Sequence, residues 1–149
     1  MLLLLFQAAG RTFGIDTSKI LEVTPVPELR NAPGAPAYIA GLMNFRGRTI
    51  PVLDLTRLIE GRASRNVLST RLVLARYEPG GEGAILGLVA ERAVETVSCS
   101  DADFAATGIE TQDMAYLGKA AILGGRIVQR VTLEETLGEE ARALLFSSS

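Results

Sequence analysis

GLMNFRGRTIPVLDL, residues 41–55, carries the most informative pattern in this chain of 149 residues. Two mainly apolar runs flank a polar turn at Arg46 and Gly47. This arrangement predicts two strands, Leu42–Phe45 and Arg48–Leu53, that are joined by a tight turn. The turn holds an arginine and a glycine and no nucleophile or general base. The stretch therefore predicts a hairpin whose chemistry suits recognition rather than catalysis.

Short strands separated by glycine- and proline-containing turns dominate the rest of the chain, which predicts a mainly β fold. The predicted strands cover residues 2–8, 12–16, 20–26, 42–45, 48–53, 71–77, 84–97, 114–122 and 126–131. Polar connections are expected over residues 60–69 and 98–113, and the first of these is expected to be mobile.

Short helical pieces are expected between and after the strands. Asp54 is placed to cap a short helix over Leu55–Ile59, and Tyr38-Ile39 is expected to form one helical turn. Thr132 has Glu135 three residues later, a capping-box pattern, so a C-terminal helix is expected to begin there. One face of this helix is apolar and is expected to pack on the body of the protein or, as the alternative, to bind a partner. Its residues are Leu133, Leu137, Ala141, Leu144 and Leu145.

The composition argues against several function classes. Hydrophobic residues make up 48% of the chain, which is enough for a sizeable core. The apolar run Leu2–Phe6 is far too short to cross a bilayer. Histidine is absent, so the commonest general base and metal ligand is missing. Cys99 is the single cysteine and is expected to be an ordinary small side chain. We therefore expect no catalytic, metal-ligating or cofactor-binding residues.

The charge is divided unevenly along the chain. Residues 1–75 carry 9 basic and 5 acidic side chains, whereas residues 76–149 carry 6 basic and 12 acidic ones. No basic run or aromatic-interleaved stripe is present, so the sequence gives little support to nucleic-acid binding. The asymmetry favours head-to-tail contacts with partners of similar polarity, or simply two differently solvated surfaces.

Two pairs of segments indicate an internal repeat. Gly10–Glu22 can be aligned with Gly83–Glu95, and Gly47–Leu55 with Gly125–Leu133, so that Asp54 and Thr132 occupy equivalent positions. Because the two matches occur in the same order, duplication is favoured over chance. The repeat predicts two small β-barrels that share an apolar seam, with their main junction near residues 60–70 and an exchange of strands left open.

The segment NFRGRTIPVLDL, residues 44–55, resembles the "N-L-R-G…-P-V-I-D-L" signature of CheW-like domains, the coupling proteins of bacterial chemotaxis. FGIDTSKILEV (13–23), APGAPAYIAGLMN (32–44) and LGLVAERAVETV (86–97) resemble the family's other segments in the expected order. Together these segments cover nearly the whole chain.

The resemblance implies a single CheW-like domain over residues 1–149, made of two intertwined SH3-like five-stranded β-barrels with short helices and a C-terminal helix. It implies a cytoplasmic, non-catalytic adaptor without a cofactor, recruited to membrane-bound receptor arrays. Its partners would be the cytoplasmic tip of a chemoreceptor and the regulatory domain of a CheA-type histidine kinase. Neither nucleic-acid binding nor direct membrane insertion is implied.

Arg46 is the leading candidate for partner binding, because the resemblance places it at the signature arginine and a guanidinium can bind a carboxylate bidentately. The alternative is that Arg46 only pins the turn. The full set of candidate partner-binding residues is Gly41, Leu42, Met43, Asn44, Phe45 and Arg46. Asn44 could equally bond the turn, and residues 41–43 could equally pack in the core. Structural turn or cap roles are expected for Gly47, Asp54 and Thr132.

Two departures from the family pattern bear on the choice of partner. Ala90-Glu91 stands where the family usually has an aspartate, and Gln129-Arg130 interrupts a strand that is usually smoother. These departures favour an accessory chemosensory pathway over the flagellar one. Two alternatives stay open: a stand-alone CheW-like regulatory module with other protein partners, and a small enzyme on a double β-barrel. The receptor, the signal, the output and the oligomeric state are left open as well.

Overall fold

Ten strands and three α-helices form the described part of the chain, which in this computed structural model comprises residues 1–107, 109–110 and 114–146. The strands are β1 (Leu2–Ala8), β2 (Arg11–Asp16), β3 (Ile20–Pro25), β4 (Ile39–Phe45), β5 (Arg48–Asp54), β6 (Arg71–Arg76), β7 (Ile85–Ser98), β8 (Ile109–Glu110), β9 (Leu117–Leu123) and β10 (Arg126–Val131). The helices are α1 (Leu55–Glu60), α2 (Asp101–Thr107) and α3 (Glu139–Phe146), and 3-10 turns cover Thr17–Lys19, Glu78–Gly80 and Leu133–Glu135.

The long strand β7 joins two sets of strands. Its first part, residues 85–90, pairs with β6, and residues 87–89 also pair in parallel with β5. Its last part, residues 91–98, pairs with β1. One set therefore contains β3 to β6, and the other contains β1, β2 and β8 to β10, with β7 common to both. Because β2 pairs in parallel with β10, strands from the two ends of the chain lie in the same set.

The mainly β fold and the C-terminal helix predicted from the sequence are confirmed, but the sheet does not close into complete barrels. Among the described strands, β3, β4 and β8 each pair with a single neighbour. The outer edge of β4 is bonded at one point, where Arg30 and Leu42 exchange backbone hydrogen bonds of 2.8 and 2.7 Å. The division of the chain near residues 60–70 stays a prediction.

Equivalent positions of the sequence repeat make the same backbone pairings in the two sets of strands. The N–H of Asp54 donates to the carbonyl of Tyr38 at 2.8 Å, and the N–H of Thr132 donates to that of Tyr116 at 2.7 Å. In the parallel ladders, Val52 is opposite Gly87 and Arg130 is opposite Gly14. The sequence repeat therefore corresponds to a structural repeat, which favours its origin by duplication.

The main core is shared by both sets of strands. It contains Phe6 and Phe13, whose rings stack at 5.4 Å, together with Leu53, Val73 and Leu88 from the other set. Burial of each such side chain stabilises the fold by about 1.5–3 kcal/mol. Because the apolar faces of both sets meet in one cluster, neither set has a separate main core.

Three local expectations were wrong. Tyr38 lies in a turn and Ile39 already begins β4, so no helical turn forms there. The predicted loop 98–113 contains α2 and β8, although residues 108 and 111–113 lie outside the described part. Thr132 makes no side-chain capping bond, and a single 3-10 turn follows it before α3 begins at Glu139. Gly138 separates the two pieces, and the hydroxyl of Thr136 donates to the carbonyl of Leu133 at 2.7 Å.

We expect Gly41→Ala to lower the free energy of unfolding by at least about 2 kcal/mol. Gly41 has a φ of +153°, and a Cβ there would lie 2.5 Å from the backbone oxygen of Arg30. Urea denaturation at neutral pH measures the change. Gly138→Ala is the matched control, since a Cβ at Gly138 meets nothing within 4 Å. Equal stability of the two variants would contradict the clash.

Candidate functional site

The β4–β5 hairpin ends in a two-residue turn with an unusual residue in it. Arg46 has a φ of +52° and Gly47 a φ of +81°, so both central residues have positive φ, as in type I′ turns. The side-chain oxygen of Asn44 accepts the Gly47 N–H at 3.0 Å. The turn role predicted for Gly47 is confirmed, and the amide of Asn44 stabilises the turn.

The equivalent turn of the repeat shows what this backbone prefers. Between β9 and β10, Gly124 and Gly125 have φ of +56° and +80°, nearly the values of Arg46 and Gly47. Glycine adopts this region without cost, whereas another L-residue there costs roughly 1–2 kcal/mol. Ala9 in the β1–β2 turn and Arg92 on β7 have similar φ values of +51° and +53°, so the strain alone does not assign a function to Arg46, and its side chain has to be considered.

The guanidinium of Arg46 is available to a partner. It lies 4.7 Å from the centroid of the Phe45 ring, and Arg46 is exposed. Within the described part of the chain it makes no hydrogen bond or ion pair, so nothing there supports the alternative that Arg46 pins the turn through backbone carbonyls. Arg48 has that anchoring role, because its side chain donates to the carbonyl of Gly83 at 2.7 Å. The hairpin tip therefore presents one free cation backed by an aromatic ring.

Not every predicted binding residue lies at the surface. Met43 is 8% exposed and packs in a core cluster with Ile50 and Leu72, which agrees with the alternative of core packing that the sequence left open for it. Gly41 is buried too, against the backbone of Arg30, and its role is structural. At the tip, Asn44 is exposed and Phe45 is half-buried. Leu42 is half-buried as well. β4 alternates between faces, which separates the buried residues from the accessible ones.

The base of the hairpin is held by Asp54, and its predicted capping role is confirmed. Its Oδ1 accepts the N–H groups of Thr56 at 3.0 Å and Arg57 at 3.3 Å, at the start of α1. The Ser64 backbone N–H also donates to the carboxylate, at 2.8 Å, and its hydroxyl donates at 2.6 Å. Asp54 therefore fixes both α1 and the connection that follows it.

Glu91 is a buried charged residue whose contacts were not predicted. Its carboxylate is bonded by the guanidinium of Arg62 at 2.8 and 3.3 Å, by the Arg65 backbone N–H at 3.1 Å, and by the Thr56 hydroxyl at 3.3 Å. Burial alone would raise the pKa of Glu91, but the hydrogen bonds from Arg62, Arg65 and Thr56 outweigh it and lower the pKa. The sequence did contain one indication of these contacts. An ionisable side chain lies inside the apolar run of β7, and arginines are nearby in the sequence.

The same contacts overturn the expectation of a mobile connection after α1. Arg62 also donates to Glu60 at 2.6 Å, and the second carboxylate oxygen of Glu60 accepts the N–H of Ala9 in the β1–β2 turn. The connection is thus bonded to β7, to Asp54 and, through Glu60, to the other set of strands. The sequence of this mainly polar segment predicts a solvated loop, although several of its polar groups have specific partners.

The second set of strands presents an apolar surface. Ile122 and Ile127 face each other across β9 and β10 and are 58% and 61% exposed. A groove of about 510 Å³ runs beside Ile127 and is bordered by Arg11, Ala120 and Gln129. The ion pair of Arg126 with Glu95, at 2.6 Å, lies next to it in sequence. Two adjacent exposed isoleucines beside a groove form a contiguous apolar patch, which is a candidate contact surface.

The residues that depart from the family pattern have internal roles. Glu91 is bonded as described, and the buried side chain of Gln129 donates to the carbonyl of Gly118 at 3.1 Å. Arg130 bonds Asp101 at 3.3 Å and lies over the Phe104 ring. These contacts give no direct reason for a change of partner, so the accessory pathway stays a prediction.

The described residues contain no group of three or more His, Cys, Asp or Glu side chains placed to hold a metal ion. In the same part of the chain, no helix has the length and apolarity needed to span a membrane.

A family model described as CheW-like domain matches residues 2–141. The chain belongs to the CheW-like domain family. The signature arginine and the hairpin that carries it lie inside the matched region. The resemblance predicted from residues 44–55 is therefore confirmed over nearly the whole chain.

Relatives and a solved structure agree with this membership. The chain is 27% identical over 101 residues to the chemotaxis protein CheW of Treponema pallidum, an alignment that covers 68% of the chain and 59% of that protein. It is 22% identical over 142 residues to the chemotaxis protein CheW of Rhizobium meliloti, covering 94% and 89%. The crystal structure of scaffolding protein TtCheW from Thermoanaerobacter tengcongensis superposes with a TM-score of 0.78 at 20% identity, covering 94% and 89%. This last likeness shows the fold.

We expect Glu91→Gln to destabilise the protein at pH 7 and to lose this effect in acid. Because folding lowers the pKa of Glu91, its stabilisation is present above the ordinary glutamate pKa of about 4.3 and is lost as the pH falls through the lowered value. Urea denaturation from about pH 7 to pH 3 measures the difference from the wild type. Glu95→Gln, at an exposed ion pair, is the control with a smaller effect. A difference that stays undiminished at about pH 3 would contradict this assignment.

Proposed function

We propose that the protein is a non-catalytic adaptor that couples a chemoreceptor to a CheA-type histidine kinase in a bacterial chemosensory pathway. One observation carries the proposal: Arg46 occupies a strained turn position, exposed and without a polar partner among the described residues. Membership of the CheW-like family and the names of its relatives support the pathway. Such an adaptor acts by binding two partners at different surfaces, in the cytoplasm at receptor arrays.

The receptor is the partner proposed for the β4–β5 hairpin. A guanidinium that is free of internal bonds binds a carboxylate bidentately, and the Phe45 ring behind it limits its rotation. The hairpin is fixed at its tip by Asn44 and at its base by Asp54. A helical receptor tip that bears a carboxylate would therefore meet a preorganised cation.

The kinase regulatory domain is the partner proposed for the Ile122–Ile127 surface. This surface lies on the set of strands that does not carry the hairpin, so both partners could bind at once. Apolar side chains with a nearby ion pair resemble the centre and rim of transient protein interfaces. Such an arrangement lets the receptor state bias the kinase through contacts alone.

We expect Arg46→Glu to weaken binding of a receptor tip fragment and receptor-dependent kinase activation by at least tenfold, since a charged contact of this kind contributes roughly 1.5–3 kcal/mol. The melting temperature should stay within about 2 °C of the wild type, because Arg46 makes no internal polar contact. Calorimetric titration and a phosphorylation assay measure the effects. Arg57→Glu, an exposed arginine on α1, is the control. An equal loss of stability would show that Arg46 is structural.

We expect Ile127→Ser to weaken binding of the kinase regulatory domain by about tenfold or more while leaving receptor binding unchanged, because burial of the side chain would be lost. Surface-immobilised kinase domain gives the affinity. Leu144→Ser on α3 is a matched control, since Leu144 is 49% exposed on another element. If Ile127→Ser binds the kinase domain normally, the surface is assigned wrongly.

The alternative, a stand-alone CheW-like module with other partners, is distinguished by the same two titrations. A wild-type protein that binds neither the receptor tip nor the kinase domain would favour the alternative and end the coupling proposal.

A further inference from the structure

The connection between α1 and β6 ends in an apolar tip. Leu68 is 93% exposed, the largest exposed fraction of any large hydrophobic side chain in the described part, and Val67 is 52% exposed. Both lie in a tight turn in which the N–H of Thr70 donates to the carbonyl of Val67 at 3.0 Å. Single exposed apolar side chains are ordinary on protein surfaces, so exposure alone does not assign a role.

The backbone on both sides of the tip is fixed, which distinguishes it from an ordinary exposed loop. Before the tip, Ser64 is bonded to Asp54 and the N–H of Arg65 donates to the buried Glu91. The hydroxyl of Thr70 then donates to the carbonyl of Arg65 at 2.6 Å. After the tip, the carbonyl of Ser69 accepts the N–H of Ala93 on β7 at 3.2 Å. Leu68 thus lies between anchored groups while its own side chain contacts little of the body.

Fixing the backbone of this connection costs conformational entropy. In the free protein the side chain of Leu68 is not buried, so it does not offset that cost. A buried carboxylate, which is costly to desolvate, helps to hold the segment in place. The same rigidity lowers the cost of binding a partner, because the tip is already in one conformation. The anchoring therefore makes physical sense as preorganisation of Val67 and Leu68 for a contact.

The surroundings of the tip are basic. Residues 61–71 contain three arginines and no acidic residue. Arg62 is occupied by Glu60 and Glu91, but Arg65, Arg71 and Arg92 form no ion pair within the described residues. Arg71 follows the anchored Thr70, and Arg92 precedes the Ala93 that is bonded to Ser69. The charge favours a partner surface that carries carboxylates.

The connection that carries the tip also lines a crevice beside β4. A crevice of about 390 Å³ is lined by Arg65, Asn66 and Thr70 of the connection, by Ala40 of β4, and by Pro27, Glu28 and Leu29. The buried carboxylate of Asp54, which is bonded to Ser64, lines it as well. β4 is the strand that leads to Arg46. A partner seated along β4 and the crevice would therefore reach the connection that carries the tip.

We propose that Val67 and Leu68 form a second anchor for the receptor, inserted into an apolar socket bordered by carboxylates on its helical tip. The proposal rests on the proposed function and adds a contact to it. Arg46 binds one carboxylate at the hairpin, and the anchored tip supplies apolar burial together with the charges of Arg65 and Arg71. The buried Glu91 is a positioning residue for this tip.

The test is a titration of full-length protein with a receptor cytoplasmic tip fragment. We expect Leu68→Ser to lower the affinity by about tenfold, as loss of a buried leucine predicts, with an unchanged melting temperature. The double change Arg65→Gln and Arg71→Gln should lower the affinity and flatten its salt dependence. Leu144→Ser is the matched control, and binding of the kinase regulatory domain should be normal in every variant.

The variant Glu91→Gln tests whether Glu91 positions the tip, as distinct from the contact that Leu68 itself makes with the receptor. It should speed amide hydrogen exchange at Ser64 and Arg65 and weaken receptor binding although Leu68 is present. Unchanged receptor affinity in Leu68→Ser, with a wild type that binds, would overturn the second anchor alone. A wild type that does not bind the receptor fragment would overturn the receptor proposal as well. Self-association that disappears in Leu68→Ser, without an effect on receptor binding, would assign the tip to a second copy of the chain and overturn the proposal too.

Discussion

The rest of the structure depends on the pairing of β7 with strands of both sets. Its fourteen residues bond first to β5 and β6 and then to β1, so one strand carries the ladder from one half of the molecule to the other. The shared core forms on this frame, with aromatic rings from β1 and β2 packed with aliphatic side chains from β5, β6 and β7. The residues that change sets, near Glu91, are also those bonded to the connection after α1. The buried carboxylate of Glu91 therefore lies where the two sets of strands and the connection after α1 meet.

Duplication followed by divergence explains the contrast between the two hairpin tips. Both turns keep positive φ at both central residues, but one has Arg46 where the other has Gly124. The backbone geometry is maintained by pairing at the bases, where the bonds from Asp54 to Tyr38 and from Thr132 to Tyr116 are equivalent. A tip can then change its side chains with little effect on the fold. The strain at Arg46 is small compared with the stability of the core beneath it.

Much of the fold could be predicted from the sequence because it depends on local chemistry. Turn residues marked the hairpins, and a carboxylate after an apolar strand marked the cap at Asp54. Helix α2 was missed because residues 98–113 were interpreted as one acidic loop. The segment DADFAAT is nevertheless rich in alanine, and the N–H of Ser100 donates to the Asp103 carboxylate at 2.8 Å, a capping pattern visible in the sequence. The burial of Met43 and the partners of Glu91 depend on which strands become neighbours, and spacing along the chain does not contain that information. Arg46 was singled out because the resemblance places it at the signature arginine and because a guanidinium suits the binding of a carboxylate.

The parallel pairing of β2 with β10 has a consequence for the order in which the chain can fold during synthesis. The strands of the hairpin set, β3 to β6, and the part of β7 that pairs with them are contiguous from residue 20 to residue 90, so this set can pair before the rest of the chain is made. β1 and β2 are synthesised before the other strands, yet β2 gains its partner β10 only when residues 126–131 have been added. During that interval the outer edge of β2 is unpaired, and such edges favour association with other chains. In the ribosome-bound chain, the edge of β2 thus stays exposed to aggregation after the strands of the hairpin set can already pair with one another.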